Sequence, residues 1–234
     1  MKISTILITY SALCIFLFCD TANAQEEYNR TEKEVLDYSI LKSLYGEIQC
    51  LLSNSSISSQ SREKAVRYAD FIMKHDREMG YQAFHEIYEK TGEFDNLEKS
   101  YKKRIEDFPN KVIYRIELAL FYSNSIENHD KSFAILEKVI LEHPEAKIGL
   151  YIYGKTCAVT GSNLNKGVKF LNDYLQYENQ LYPDLAHYYI GEIFRTKNEI
   201  SKAIKKYKDA LEVNPECALA ARALDRINKI KSVK

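Results

Sequence analysis

The chain has 234 residues, of which 45% are hydrophobic and 28% are charged, which is enough for one ordinary domain with a continuous core. Its 33 Lys and Arg residues balance its 33 Asp and Glu residues, so no net field draws it toward nucleic acid or an anionic membrane. Four Pro and eight Gly beside 18 Tyr and 10 Phe indicate a mostly helical, aromatic-packed protein and disfavour a turn-rich β fold.

The first 24 residues have the pattern of a cleaved export signal. Lys2 gives a positive start, residues 3–18 are mainly apolar, and Ala22-Asn23-Ala24 has the small-x-small pattern that signal peptidases accept. We expect residues 1–24 to be a signal peptide cleaved after Ala24, and the exported chain to reside in the periplasm or cell envelope or to be secreted. An uncleaved membrane anchor is the alternative, although the apolar run is short for a span.

Three cysteines remain after this cleavage, namely Cys50, Cys157 and Cys217. They are widely separated and odd in number, which is not typical of a disulfide framework. We expect three small buried apolar residues, and the alternative is one bridge with one free thiol. No paired Cys or His spacing is present, so no metal site is predicted.

Residues 25–77 are predicted to form two helices. Thr31 and Glu34 form a capping box ahead of apolar residues spaced mostly three or four apart, which predicts a helix from about Thr31. The Ser-rich stretch 53–61 predicts a flexible loop. A second helix is expected over roughly residues 62–78.

The most regular pattern lies in residues 184–217. Large and small residues recur there at helical spacing: His187, Ile190, Gly191, Phe194, Ala203, Tyr207 and Ala210. Two antiparallel helices can approach closely only where side chains are small, so we expect Gly191 and Ala203 to lie where the helices of one pair meet. Pro215 closes the unit and is expected in the first turn of the next helix, where its missing N–H has no cost.

Three upstream units repeat this spacing, at about residues 78–111, 112–146 and 147–183. Gly92 and Gly161 are expected to turn the chain between the helices of their units. The second helices carry these residues in corresponding places: Leu97, Tyr101, Arg104 and Pro109; Ser132, Leu136, Val139 and Pro144; Gly167, Leu171, Tyr174 and Pro183. Residues 218–234 form one further amphipathic helix.

This pattern resembles the tetratricopeptide repeat family. The resemblance implies an all-α fold, a right-handed α-α superhelix of antiparallel helix pairs. Residues 25–77 would contain a degenerate first repeat, residues 78–217 four further repeats, and residues 218–234 a capping helix with one apolar and one wet face. The chain has no Trp and so departs from the family pattern at the front position of each repeat.

The resemblance also implies a peptide-binding groove lined by the first helix of each pair. Residues three and four apart on those helices form the predicted stripe: Gln82, Glu86 and Glu89; Ile116, Leu120 and Ser123; Tyr151, Lys155 and Ala158; Tyr188, Glu192 and Arg195. The predicted peptide-binding residues among them are Gln82, Glu86, Tyr151, Lys155, Tyr188, Glu192 and Arg195.

Two kinds of contact are expected from this stripe. Tyr151 and Tyr188 would anchor a peptide, whereas Lys155 and Arg195 would meet a carboxylate. The alternative is that both tyrosines pack between adjacent repeats. The clamp of basic and Asn residues by which some tetratricopeptide adaptors hold a C-terminal carboxylate is not reproduced here.

No catalytic pattern outweighs a structural interpretation. His85-Glu86 begins like a zinc-protease motif, but Glu89 stands where the second histidine would be needed, and neither a phosphate-binding glycine loop nor a nucleophile elbow is present. We therefore predict a non-enzymatic scaffold without cofactor, whose partner is another protein or an extended peptide and not nucleic acid. One alternative is a structural component of an envelope or outer-membrane assembly complex, peripherally associated with the membrane. Another is a glycan-binding subunit or an enzyme on the same scaffold.

Overall fold

The computed structural model describes the backbone of residues 37–54 and 56–232 and the side chains as far as residue 229. The predicted signal peptide and the capping box of Thr31 and Glu34 lie outside the described residues. So does the predicted start of the first helix.

The described residues form eleven helices and no strand, which confirms the all-α prediction. In chain order the helices are α1 (37–51), α2 (Ser59–His75), α3 (Arg77–Thr91), α4 (Phe94–Asp107), α5 (Val112–Asn124), α6 (His129–Glu142), α7 (Ile148–Thr160), α8 (Leu164–Leu175), α9 (Pro183–Thr196), α10 (Ile200–Val213) and α11 (Ala218–Ser232). Within this part of the chain, no helix combines the length and the hydrophobicity needed to cross a membrane.

The chain divides into two compact units, Met1–Ser100 and Tyr101–Lys234. The boundary lies inside α4. Composition alone is compatible with one domain, whereas the contacts of the folded chain separate two.

Unit 1 is built around apolar residues of its first three helices. The buried cluster takes Leu41, Ile48 and Leu52 from the α1 region, Ala65, Ala69 and Ile72 from α2, and Ala83 and Ile87 from α3. Helices α2 and α3 cross closely at Gly80, where a Cβ atom would lie 2.5 Å from the Cα atom of Met73. A side chain at this position would therefore meet backbone.

The boundary between α2 and α3 differs from the prediction. The second helix was expected to continue to about residue 78, but α2 ends at His75 because Asp76 is extended, with φ −140°. The Asp76 carboxylate accepts a hydrogen bond from the Met79 N–H at 2.9 Å and so caps α3. Asp76 thus ends α2 and begins α3 within the polar segment 74–78.

Unit 2 contains three packed helix pairs, α5 with α6, α7 with α8 and α9 with α10, and α11 packs on α10. Two of these pairs, α7 with α8 and α9 with α10, meet at glycines, and the crossing at Gly191 was predicted. A Cβ atom at Gly191 would lie 2.5 Å from Tyr207, and one at Gly167 would lie 2.6 Å from Cys157. Ala203 is fully buried, which confirms that small residues permit this close packing.

Two predicted glycine turns are confirmed and one predicted proline position is wrong. Gly92 and Gly161 have φ of 73° and 74°, a left-handed conformation that ends α3 and α7. Pro215 does not enter the first turn of α11. It lies in a turn closed by a 3.0 Å hydrogen bond from the Cys217 N–H to the Asn214 carbonyl oxygen, whereas Pro183 does occupy the first turn of α9.

All three described cysteines are free thiols. Cys157 and Cys217 are buried, as expected, but Cys50 is exposed. The expectation of three buried cysteines is therefore wrong for Cys50, which lies on the solvent side of α1. The alternative of one disulfide is not what the structure shows.

Candidate functional site

The predicted stripe of unit 2 lies on α5, α7 and α9, and α7 and α9 pack side by side. We call these nine residues the first-helix face: Ile116, Leu120 and Ser123; Tyr151, Lys155 and Ala158; Tyr188, Glu192 and Arg195. Successive positions on this face are three or four residues apart, so their side chains project from the same side of each helix. Their burial differs greatly, and this decides which of them can meet a partner.

Tyr151 lies in the interior, with 4% of its surface exposed. Its ring stacks on Tyr182 at 5.2 Å between centroids and contacts Tyr174 at 5.4 Å and Tyr189 at 6.1 Å. Burial chiefly, with the neighbouring tyrosines, raises the pKa of the Tyr151 phenol above its ordinary value. A partner would have to displace Tyr182 to reach this ring.

Tyr188 is also buried, with 9% of its surface exposed. Its ring lies 5.1 Å from that of Tyr189 and 5.9 Å from that of Tyr207. Both predicted anchors therefore pack between helices, which is the alternative that the sequence leaves open. What the first-helix face offers to solvent consists mainly of polar side chains.

Glu192 is held from two sides. Its carboxylate accepts a hydrogen bond from the Tyr207 hydroxyl at 2.6 Å and forms an ion pair with Arg195 Nη2 at 2.7 Å. The Glu192 side chain is only 12% exposed, whereas that of Arg195 is 46% exposed. Glu192 thus joins α9 to α10, and the guanidinium of Arg195 remains half accessible beside it.

Lys155 is half-buried on α7, one helical turn beyond Tyr151. Its ammonium forms no ion pair with any residue of the described chain. A lysine that is partly removed from water and lacks a carboxylate partner is available to a ligand's carboxylate. Lys155 is the cation of this face that no acidic residue neutralises.

The residues that α5 contributes to the first-helix face are apolar or buried. Ile116 and Ser123 are buried, and Leu120 is half-buried. Ala158 of α7 is also half-buried. These residues contribute surface and no charge.

Three residues of the predicted stripe lie on α3 of unit 1. Gln82 and Glu89 are exposed on α3, and Glu86 is half-buried. Glu86 accepts a hydrogen bond from Gln49 Nε2 at 3.4 Å. Burial first, and then hydrogen bonding and charge from Glu86, raise the pKa of Tyr45 to about 12, so Glu86 links α3 to α1.

Three residues that the sequence analysis did not assign to the site shape it. Tyr182 and Tyr189 cover Tyr151, and Tyr207 holds Glu192. Tyr207 carried a sequence signal as a packing residue of its repeat. Tyr182 lies in an inter-repeat loop whose proline is displaced, and no periodicity marks its contact.

No set of three or more His, Cys, Asp or Glu side chains in the described part of the chain is arranged to hold a metal ion. Burial raises the pKa of the Cys157 thiol to about 12, which keeps it protonated and unreactive at neutral pH. A cleft of about 610 Å³ in unit 1 contains Arg62 and Glu93, but these two are engaged with each other at 2.6 Å.

Comparisons with known proteins support the fold. No protein-family model matches the chain. Its sequence is similar to that of anaphase-promoting complex subunit 7 from Dictyostelium discoideum, with 27% identity over 113 residues. That match covers 48% of this chain and only 19% of the other protein.

Two solved structures have a similar fold. YrrB, described as a TPR protein with an unusual peptide-binding site, has a TM-score of 0.54 and 14% identity, covering 71% of this chain and 84% of that one. PilW, described as a widely conserved type IV pilus biogenesis factor, has a TM-score of 0.55 and 17% identity, covering 74% and 76%. At such identities the likeness concerns the fold, and it confirms a tetratricopeptide-type helical repeat architecture.

Proposed function

We propose that this chain, which has a tetratricopeptide-type helical repeat fold, is a non-enzymatic scaffold that binds another protein or an extended peptide. A protein partner is supported by the structural likeness to YrrB, whose description includes a peptide-binding site. Repeats of this kind stack into extended surfaces on which many contacts add together. No cofactor is part of the proposal.

One observation carries the choice of surface. On α7 and α9 the aromatic rings of the first-helix face are buried, while Lys155 is half-buried without an acidic partner among the described residues and the Arg195 side chain is 46% exposed. Arg195 is already held by Glu192 at 2.7 Å, and a side chain that is ordered before binding loses less entropy on binding. We propose that polar contacts from this face hold the partner and that the tyrosines support the face from within.

The test is a cross-linking capture with the full chain and a Lys155→Ala, Arg195→Ala double variant. Both side chains can be removed without opening the core, because Lys155 has no partner among the described residues and Arg195 pairs with Glu192 at a partly exposed site. Truncating Tyr151 or Tyr188 would disrupt the packing between helices, so loss of the partner could not be distinguished from damage to the fold. We expect the double variant to keep its melting curve and to lose the partner.

The matched control is Lys169→Ala with Lys205→Ala. Both lysines are exposed on the second helices α8 and α10, so the control removes the same charge from another face. If the control loses the partner and the first-helix variant keeps it, the assigned surface is wrong. A partner retained by both variants would move binding to another part of the chain.

A second candidate function is that of a structural component of an envelope assembly complex. It is favoured by the likeness to PilW, described as a pilus biogenesis factor, and by apolar side chains outside the first-helix face. Leu141 on α6 is 82% exposed and Leu181 before α9 is 74% exposed. Here Leu141→Ser with Leu181→Ser is expected to release the chain from its complex, while the Lys155 and Arg195 variant remains bound.

Export is part of the proposal, on the strength of the pattern in residues 1–24. Expression in the native cell followed by N-terminal sequencing of the mature protein tests it directly. We expect Gln25 as the first residue, in the periplasmic, envelope or secreted fraction. A chain that keeps Met1 or Lys2 and stays in the cytosol would contradict export.

A further inference from the structure

The capping helix α11 continues the first-helix face. In α9 the buried residues include Ala186 and Ile193, and in α11 Ala220 and Ile227 are buried at the same spacing. Helix α11 packs on α10, and its residues Ala220, Ala223 and Ile227 share one apolar cluster with Tyr188 and Tyr207. It therefore stands in the place of a further first helix.

This register puts two arginines on the extended face. With Ala220 matched to Ala186, Arg222 corresponds to Tyr188 and Arg226 corresponds to Glu192. Both arginine side chains are exposed. Where α9 has the buried ring of Tyr188 and the paired carboxylate of Glu192, α11 therefore has two solvent-accessible guanidinium groups.

The two arginines are not neutralised within the described chain. Neither forms an ion pair with a described carboxylate, and Arg222 Nε donates a hydrogen bond to the Ala218 carbonyl oxygen at 3.1 Å. Arg226 lies close enough to Tyr188 for its charge to oppose the rise that burial causes in the pKa of that phenol. Its guanidinium therefore lies beside the predicted stripe and not on the far side of α11.

The charges on this face do not balance. Glu192 is occupied by Tyr207 and Arg195, so it is not available to neutralise a further cation. Lys155, Arg222 and Arg226 remain without a described acidic partner. Exposed cations left unpaired on one face attract an anionic partner and exclude a cationic one.

We propose that the face formed by α7, α9 and α11 binds an acidic segment of a protein partner, whose carboxylates pair with Lys155, Arg222 and Arg226. This rests on the proposed scaffold function and adds the chemistry of the partner. Arginine suits the role because its planar guanidinium can hold a carboxylate through two parallel hydrogen bonds. The proposal gives α11 a binding role in addition to its capping role.

The test measures fluorescence anisotropy of the full chain with three labelled peptides of equal length. The first alternates Glu with Tyr and Ser, the second has Gln for each Glu, and the third has Lys for each Glu. We expect the acidic peptide to bind at least about tenfold more tightly than the Gln peptide. Its affinity should fall as salt is raised, because the charges involved are accessible to ions, and the Lys peptide should not bind.

The deciding variant is Arg222→Glu with Arg226→Glu. We expect it to weaken binding of the acidic peptide by at least about tenfold. The matched control, Lys205→Glu with Lys208→Glu, makes the same charge change on exposed residues of α10 and should bind nearly as the wild type does. Equal weakening in both variants would mean a diffuse charge effect and would overturn the assigned face, as would equal binding of the Glu and Gln peptides.

Two further outcomes separate this inference from the proposed function. If the natural partner is captured through Lys155 and Arg195 but no acidic peptide binds, the scaffold function stands and the acidic chemistry is wrong. If vesicles of anionic lipid bind to the face formed by α7, α9 and α11 while the acidic peptide does not, this surface binds a membrane and the inference fails. A circular-dichroism melt of each variant confirms that the fold is intact.

Discussion

The ring of Tyr207 occupies the space that any residue larger than glycine would need at position 191. A Cβ atom there would approach Tyr207 Cε1 to 2.5 Å, and Tyr207 is itself held because its hydroxyl donates to Glu192. Relief by a simple ring movement would break that hydrogen bond. The glycine therefore sets the distance between α9 and α10.

Gly191→Leu is expected to lower the free energy of unfolding by about 1–3 kcal/mol, because it overpacks this crossing. The measurement is a circular-dichroism melt. Gly46→Leu is the control, since Gly46 is exposed on α1 and nothing lies within 4 Å of its Cβ position. Equal melts for the Gly191 variant and the wild type would contradict the packing described for this pair.

Glu93 gives unit 1 a stability that depends on pH. Its carboxylate accepts hydrogen bonds from Arg62 at 2.6 and 2.7 Å, from Thr91 and from Asn96. Arg62 chiefly lowers the pKa of Glu93 from 4.5 to about 2. The stabilisation is therefore present above the ordinary pKa of a glutamate and is lost as pH falls from 4.5 toward 2.

Glu93→Gln should unfold at lower urea than the wild type at neutral pH, and the difference should shrink as pH falls through that window. Urea midpoints measured at a series of pH values provide the check. Glu63→Gln is the control, because the Glu63 and Arg67 side chains pair on the exposed surface, at 70% and 63% exposure, and it should follow the wild type. A constant difference between the Glu93 variant and the wild type down to acid pH would contradict the lowered pKa.

At the scale of elements, the loop between α8 and α9 stabilises the first-helix face. The backbone N–H of Tyr182 donates to the Tyr174 hydroxyl at 3.1 Å, and the Tyr182 ring stacks on Tyr151. The loop thereby joins the end of α8 to the first turn of α7. Tyr182 makes this contact although 42% of its surface is exposed.

Tyr182→Ala should cost about 1 kcal/mol of stability, because one stacked aromatic pair is lost. It should also expose Tyr151, which tyrosine nitration followed by peptide mapping can detect. The neighbouring Leu181→Ala is the control, since Leu181 is 74% exposed and should change neither result. An unchanged melt and unmodified Tyr151 in the Tyr182 variant would refute the stacking role.

The extent to which sequence predicted these elements depends on the range of the interactions. The helix crossing at Gly191 and Ala203 and the turns at Gly92 and Gly161 follow from local requirements for small size or left-handed backbone, and all were predicted. The end of α2 was misplaced because one residue, Asp76, leaves the helical conformation and caps the next helix. The division into two units depends on contacts distant in sequence, which spacing does not contain.

Whether the tyrosines of the predicted site are buried or exposed could not be predicted from spacing, for a chemical reason. A tyrosine has an apolar ring and a polar tip, so Tyr151 and Tyr188 fit a core and a binding face equally well by spacing. Only the surrounding rings, including Tyr182 from an irregular loop, decide that they are buried. By spacing alone, Arg222 and Arg226 fall on the wet face of the predicted capping helix, and the packing of α11 beside Tyr188 appears only in the fold.

At the scale of the whole molecule, α11 should protect the repeats that precede it. Removing residues 217–234 would expose Tyr188, Tyr207 and Ala210, which share a cluster with α11. In stacked repeats each unit is stabilised mainly by its neighbours, so the loss should be greatest beside the missing helix. The polar outer side of α11 also keeps the end of the repeats soluble.

We expect the chain ending at Glu216 to exchange amide hydrogens faster in α9 and α10, with a smaller change in α5 and α6. Hydrogen exchange followed by mass spectrometry measures each helix separately. Replacing Arg222 and Arg226 by Gln in the intact chain is the control, because it removes charge and keeps the apolar contacts. Equal exchange rates in all helices of the shortened chain and the intact chain would contradict a capping role.

The chain has 18 tyrosines and no tryptophan, so its near-ultraviolet absorption comes mainly from phenol rings. Burial raises the pKa of Tyr151, Tyr153 and Tyr207 above the ordinary value of 10.0, and these phenols can ionise near that value only after unfolding. They favour the native state below pH 10.0, and this advantage is lost as pH rises through the folded-state values. Because phenolate absorbs at longer wavelength than phenol, the buried rings give this protein a built-in optical signal for its own alkaline denaturation.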